Sequence, residues 1–372
     1  MRRWLLILAL VFCIPLTAAA QGKDDEPTVR GKTRVEWLKL LESSKEVKDR
    51  YLAVLALRVF GAKSAGVLDT LATAARKDEN DLVRRSVVHA LGEMGPDAKS
   101  TISVVAEALE QDKDAKVREA AAAALGKMRP YSKTAVLNLA KTLKDADPAT
   151  RSASAEALRD LGEDAVGARE ALLEAFQDSK NDAFTRVHAA EALSRMGNEG
   201  VIVIPELART LTDKDAPVLV RKMSAEILGR FGQSAGTAVD ALVAALKGKE
   251  PEVRRAAIVS LGRIGFKVKD AWPAVQLLLD PKNEPDAAVR TQAIRVAGVI
   301  GREDPSAVVT ALANLLKSEG NVEAKIAAVQ ELASLGEAAK GAVPQLNELA
   351  RSDPRASVRE AALAAVKKIE NP

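Results

Sequence analysis

Val253-Arg254-Arg255-Ala256-Ala257-Ile258-Val259-Ser260-Leu261-Gly262-Arg263-Ile264-Gly265 decides the fold, because the chain keeps returning to it. A Val-Arg pair leads into small residues, a Leu-Gly step and a closing Gly. The same order stands at Val83-Arg84 … Ala90-Leu91-Gly92 … Gly95 and at Val220-Arg221 … Ile227-Leu228-Gly229 … Gly232. Aligned on the basic residue, the chain shows ten anchors: Arg50, Arg84, Arg118, Arg151, Arg186, Arg221, Arg254, Arg290, Lys325 and Arg359. Successive anchors lie 33 to 36 residues apart. Such a period, held along a whole chain, marks a stack of supersecondary units and not a single globular core.

Within a unit the apolar positions are −1, +3, +6, +7 and +10 from the anchor, which is helical spacing with one buried stripe. In the second unit these are Val83, Val87, Ala90, Leu91 and Met94. Position +7 is large in most units, from Leu57 to Val366, and is expected to fill the space between paired helices. Position +3 is small, from Ala53 to Ala362 with Val87 the exception, and is expected to let the next repeat approach. Position +11 is Gly in eight of ten units, a left-handed helix end. Arg129, followed by Pro130, and Glu370 are the two departures. A second helix follows, often opening on proline: Ile204-Pro205, Trp272-Pro273, Val343-Pro344. Proline fits a first helical turn, where its missing N–H costs nothing. Asp112, Asp145, Asp178, Asp213, Asp280 and Asp353 come next and are expected to cap the following unit's first helix.

Asp-x-x-x-x-Val-Arg, then Ala-Leu-Gly, Gly and an apolar-Pro-x-Leu second helix together resemble the HEAT repeat family, in the short HEAT-like form also found in phycobilin lyases. The resemblance covers residues 45–370 and rests on repetition. It implies an all-α, right-handed α-solenoid of about nine to ten helix pairs. The Thr-Pro-Leu-His of ankyrin repeats and the spaced aromatics of tetratricopeptide repeats are absent. Residues 33–44, with Trp37 and the Leu38-Leu40-Leu41 cluster, read as a lone second helix capping the array, which runs over 45–372. The last unit has only its first helix, so about twenty helices are expected. Residues 21–32 are polar and read as a disordered linker.

Composition agrees with closely packed helices: 47% hydrophobic but only 3% aromatic. Residues 1–20 read as a secretory signal: Met1-Arg2-Arg3, an apolar run to Leu16 broken by Pro15, and Ala18-Ala19-Ala20 before Gln21. The run is too short to span about 30 Å of hydrocarbon comfortably. Cleavage after Ala20 would remove the single cysteine, Cys13, and leave 53 basic against 51 acidic residues. A near-neutral chain is a poor candidate for binding nucleic acid or an anionic membrane.

Sites of chemistry are hard to find. His89 and His188 stand at different repeat positions and neither is followed by Glu, whereas a HEAT-like hydroxylase family binds di-iron through repeated His-Glu pairs. Both read as surface or structural residues. The carboxylate pairs Asp24-Asp25 and Glu163-Asp164 read as solvated, and every glycine cluster is accounted for by a helix end. No catalytic, cofactor-binding or metal-ligating residue is therefore assigned. The anchor arginines are expected to pair with the Asp of a neighbouring turn and stitch repeats together. A second basic row (Arg76, Lys77, Lys113, Lys144, Lys180, Lys214, Lys247, Lys249, Lys317, Arg351) suits helix C-termini through the macrodipole. The expectation is an exported, periplasmic or extracellular, monomeric and non-catalytic scaffold binding a protein along its concave helical surface. The alternative is a lyase-type or enzyme-associated subunit, as in phycobilin lyases.

Overall fold

The computed structural model describes residues 26–265 and 270–371. The signal, its cleavage site and Cys13 lie outside the described residues. Twenty α-helices stand among those described. First helices of the repeats are α2 (Val47–Phe60), α4 (Asp81–Met94), α6 (Ala115–Lys127), α8 (Pro148–Leu161), α10 (Ala183–Ser194), α12 (Val218–Arg230), α14 (Pro251–Ile264), α16 (Ala287–Ile300), α18 (Val322–Ser334) and α20 (Ala356–Glu370). Second helices are α1 (Arg34–Ser43), α3 (Val67–Lys77), α5 (Ile102–Gln111), α7 (Val136–Thr142), α9 (Arg169–Gln177), α11 (Ile204–Thr212), α13 (Val239–Ala245), α15 (Trp272–Leu277), α17 (Pro305–Ser318) and α19 (Val343–Ser352). The array is thus a lone second helix, nine full pairs and a final first helix, an all-α solenoid. Each first helix packs chiefly on the second helix of the preceding repeat and on the first helix of the next one, so one apolar core runs the length of the array. Leu57, Leu91, Leu125, Leu158, Leu193, Leu228, Leu261 and Leu332 are fully buried in it at position +7.

The capping helix α1 falls where expected, at Arg34–Ser43, and further structure precedes it. Part of the segment read as a disordered linker is a small antiparallel hairpin, β1 (Thr28–Val29) with β2 (Lys32–Thr33). It is held by α1, where the Trp37 indole N–H donates to the Val29 carbonyl at 2.9 Å. Thr33 and Glu36 form a capping box at the start of α1.

Glycine at +11 has the positive φ expected in seven of its eight positions, between +53° and +82°, but at Gly61, Gly95, Gly162 and Gly265 ψ lies outside the left-handed helical region, in backbone open to glycine alone. Gly301 is the exception: its φ is −89°. Arg129-Pro130 replaces the glycine turn with a cis peptide bond. After several of these ends the chain makes a seven-residue 3-10 turn that carries it to the second helix, as at Gly95–Thr101 and Gly232–Ala238.

The close approach between repeats lies elsewhere than expected. Position +3 is buried, but the helices touch where +8 meets +6 of the next unit. A Cβ on Gly92 would stand 2.8 Å from Ala124 Cα, so α4 and α6 meet backbone to backbone. That is why the Leu-Gly step recurs. Position +6 is not apolar throughout. Glu331 stands there in the ninth unit, accepting the Gly298 amide N–H at 3.0 Å. Its burial raises its pKa.

The aspartates expected to cap first helices do not. Those caps are Asn80, Asp114, Asp147, Asp182, Asp286 and Asn321, four residues before the anchor. Asp112, Asp145 and Asp353 sit six residues before it and tie two repeats together. Asp112 accepts Nε and Nη2 of Arg84, in the preceding repeat, at 2.7 and 2.8 Å. It also accepts the Asp114 amide N–H at 2.9 Å. Its backbone carbonyl then accepts Nη1 of the next anchor, Arg118, at 2.9 Å. Burial alone would raise the Asp112 carboxyl, but the bonds from Arg84 and the Asp114 amide outweigh it and hold the group below the ordinary range.

Candidate protein-binding surface

Seven anchors close such a rung: Arg50–Asp78, Arg84–Asp112, Arg118–Asp145, Arg221–Glu250, Arg254–Glu284, Arg290–Glu319 and Lys325–Asp353, at 2.6 to 3.2 Å. The anchor row is therefore occupied within the array and offers no ladder to a ligand. Arg151 and Arg186 close none. Arg151 Nε is buried without a partner. Arg186 Nε donates to the Phe176 carbonyl at 2.9 Å, and its guanidinium lies 5.6 Å from the Phe176 ring centre. Burial, then the nearby Arg209, lowers the Arg186 pKa.

The histidines are not brought together. His89 lies on α4 with Nε2 4.0 Å from Glu93. Burial, then Lys127, lowers its pKa. His188 lies on α10, its Nδ1 3.3 Å from Ser152 Oγ. Glu163 and Asp164 are exposed in a turn. Among the described residues no three His, Cys, Asp or Glu side chains gather as a metal site. Among them, too, no helix is long and apolar enough to cross a membrane. In the second basic row, Arg76 pairs with Glu107 at 2.7 Å and Lys144 with Glu174 at 2.9 Å, both exposed. Arg76, Lys77, Lys317 and Arg351 do lie in last helical turns.

What sequence reasoning missed is a groove along the second helices near the N-terminal end. One part, about 340 Å³, lies between α3 and α5. The other, about 740 Å³, lies between α5, the turn at 131–135 and α7. Glu107 and Gln111 belong to both, so the two are continuous. Ile102, Ala106 and Ala135 give the larger part an apolar floor. The walls are polar and already oriented. Asn138 Nδ2 donates to Glu110 Oε1 at 2.8 Å, Lys141 Nζ lies 3.1 Å from the same carboxylate, and Lys99 Nζ sits 4.9 Å from the Tyr131 ring centre. Tyr131 is 44% exposed and Leu137, on α7, is 64% exposed. In a chain with so few aromatics, an exposed tyrosine beside the replaced glycine turn was the available signal.

A sequence model of HEAT repeats matches residues 35–126, 102–184, 139–219, 170–262, 204–284 and 273–367. The chain belongs to the HEAT repeat family. Among solved structures, this HEAT-repeat chain is similar to an engineered protein, with TM-score 0.56 and 20% identity over 91% of this chain and all of that one. It is also similar to Kap95p bound to RanGDP, with TM-score 0.66 and 16% identity over 90% of this chain and 50% of that one. The chain thus spans about half the length of the importin-type structures it matches. These likenesses are of fold. The phycocyanin lyase complex CpcE–CpcF of Nostoc, 23% identical over 76% of this chain and 99% of that one, superposes at TM-score 0.36, too loosely to carry an argument. No curated protein matches the chain in sequence.

Proposed function

We propose that this HEAT-repeat chain is an exported, monomeric, non-catalytic scaffold that holds a segment of a protein partner along its second helices. The continuous groove across α3, α5 and α7 carries the reading. It is long, open and lined by groups that fit a peptide. The importin-type neighbours support the choice of ligand class, since Kap95p is seen with RanGDP and with Nup1. Export follows from the leader-like residues 1–20. A photo-crosslinking residue at Thr134, which lines the groove, in cells of the native source, tests it. Adducts to one protein are expected, lost with Tyr131→Asp. Equal adducts from the same probe at Val299, on the first-helix face, would remove the groove from consideration. Intact mass of the native protein tests export, and a mass beginning at Met1 refutes it.

A further inference from the structure

The first-helix face carries a different groove, of about 790 Å³, between α12, α14 and α16. Lys222, Arg230, Arg255 and Arg263 line it, facing the carboxylates Glu226, Glu252 and Asp286. Most of these charges are engaged. Lys222 Nζ lies 3.6 Å from Glu226. Asp286 caps α16, accepting the amide N–H groups of Ala288 and Val289 at 2.9 and 3.0 Å. Arg230 reaches away to Glu191, at 3.3 Å. Arg255 and Arg263 are both exposed and make no ion pair among the described residues. Elsewhere on this face Arg159 pairs with Glu156 and Arg195 with Asp160. Two free guanidinium groups therefore face one free carboxylate, Glu252.

Their spacing is specific. Arg255, Val259 and Arg263 follow at i, i+4 and i+8 on α14, one stripe of the helix, and Val259 lines the groove between the two arginines. A rise of about 1.5 Å per residue puts the arginine Cα atoms about 12 Å apart. In an extended peptide, residues 1 and 5 lie about 13 Å apart and point to the same side as residue 3. We propose that this groove docks an extended acidic segment of a partner protein, with Asp or Glu at positions 1 and 5 and an apolar side chain at position 3. Each carboxylate meets a guanidinium fork, which suits bidentate pairing. The central side chain lies over Val259. Because this face is opposite in role to the second-helix groove, the docking does not depend on the scaffold reading above.

Fluorescence anisotropy with the purified full chain and a labelled peptide, Gly-Glu-Ala-Leu-Ala-Glu-Gly, tests it. Binding is expected, weakening as salt rises. Arg255→Glu with Arg263→Glu should weaken it by about tenfold or more, and so should Gln for both Glu in the peptide. Arg85→Glu, at the same repeat position on α4, should leave it unchanged, as should Tyr131→Asp. The peptide arm needs no variant to fold, and circular dichroism checks the variants. Any of three results overturns the proposal: no binding at about 1 mM peptide, equal binding of the Gln peptide, or an equal loss with Arg85→Glu.

Discussion

Arg84 and Arg186 hold the same place in the repeat and are equally buried, at 5% exposure, yet only Arg84 has a carboxylate partner. The contrast extends to whole regions. On either side of the middle, anchors close rungs to the next repeat; at Arg151 and Arg186 the rungs are open. The acids are not missing. Asp178 and Asp213 follow their helices as Asp112 follows α5, and each still accepts an amide N–H two residues on. The connecting loop differs. In most closed rungs the acid lies six residues before the next anchor, as Asp112 does before Arg118, whereas Asp178 and Asp213 lie eight before Arg186 and Arg221. Two extra residues move the carboxylate out of reach. Lys180, a like charge, stands six before Arg186. First helices α10 and α12, which the Arg186 rung would tie, are also the least closely packed neighbours in their row. Loop length, more than residue type, sets where the array is clamped.

The largest expected effect comes from breaking a closed rung. Glu284→Ala leaves Arg254 buried without its carboxylate and should cost about 3–5 kcal/mol. Asp213→Ala, beside the open rung, should cost about 1 kcal/mol or less. Hydrogen exchange in α14 and α16 against α10 and α12 reads the difference, and equal losses would dissolve the distinction between the regions.

Next in size is the seam. Gly92→Val forces a side chain against the Ala124 backbone and should destabilise the α4–α6 contact by about 1–3 kcal/mol. Ser194→Val, at the same position in the loosely packed α10, should cost less. Urea midpoints of the two variants decide it, and a larger loss from Ser194→Val would show that the seam is not where repeats are held.

A smaller effect, of opposite sign, comes from closing the open rung. Deleting Ser179 and Lys180 puts Asp178 six residues before Arg186 and leaves the cap, Asp182, at four. Arg151 should gain a partner, with a rise of about 1 kcal/mol in stability. A fall in the urea midpoint would mean that the longer loop is required for some other contact.

The smallest effect is in acid. Asp112, Asp145 and Glu319 have folded pKa values below their ordinary ones, because arginine and backbone N–H bonds outweigh burial. Their contribution is complete above the ordinary carboxyl value and is lost as pH falls through the folded one. Amide exchange below about pH 4 should therefore rise first in the clamped regions and less around Arg186, where Asp182, capping α10, is the carboxyl held low. Uniform exchange across the array would contradict that order.

Helix pairing, the glycine helix ends at positions such as Gly232 and the buried leucines from Leu57 to Leu332 were legible in the residues alone. Each is a local rule repeated eight or nine times, so one aberrant unit, such as Arg129-Pro130, does not obscure it. The anchors' structural role was legible too, because a buried arginine needs a partner. Which acid supplies it was not: Glu284 serves where Asp280 was expected, since the choice turns on how a loop bends. The two grooves were beyond sequence reasoning for a related reason. Glu107 meets Arg76, and Val259 faces α16, only after helices about 30 residues apart in the chain are set side by side. Periodicity determines that neighbouring repeats stack; the offset between them, set by contacts such as Gly92 on Ala124, decides which side chains share a surface.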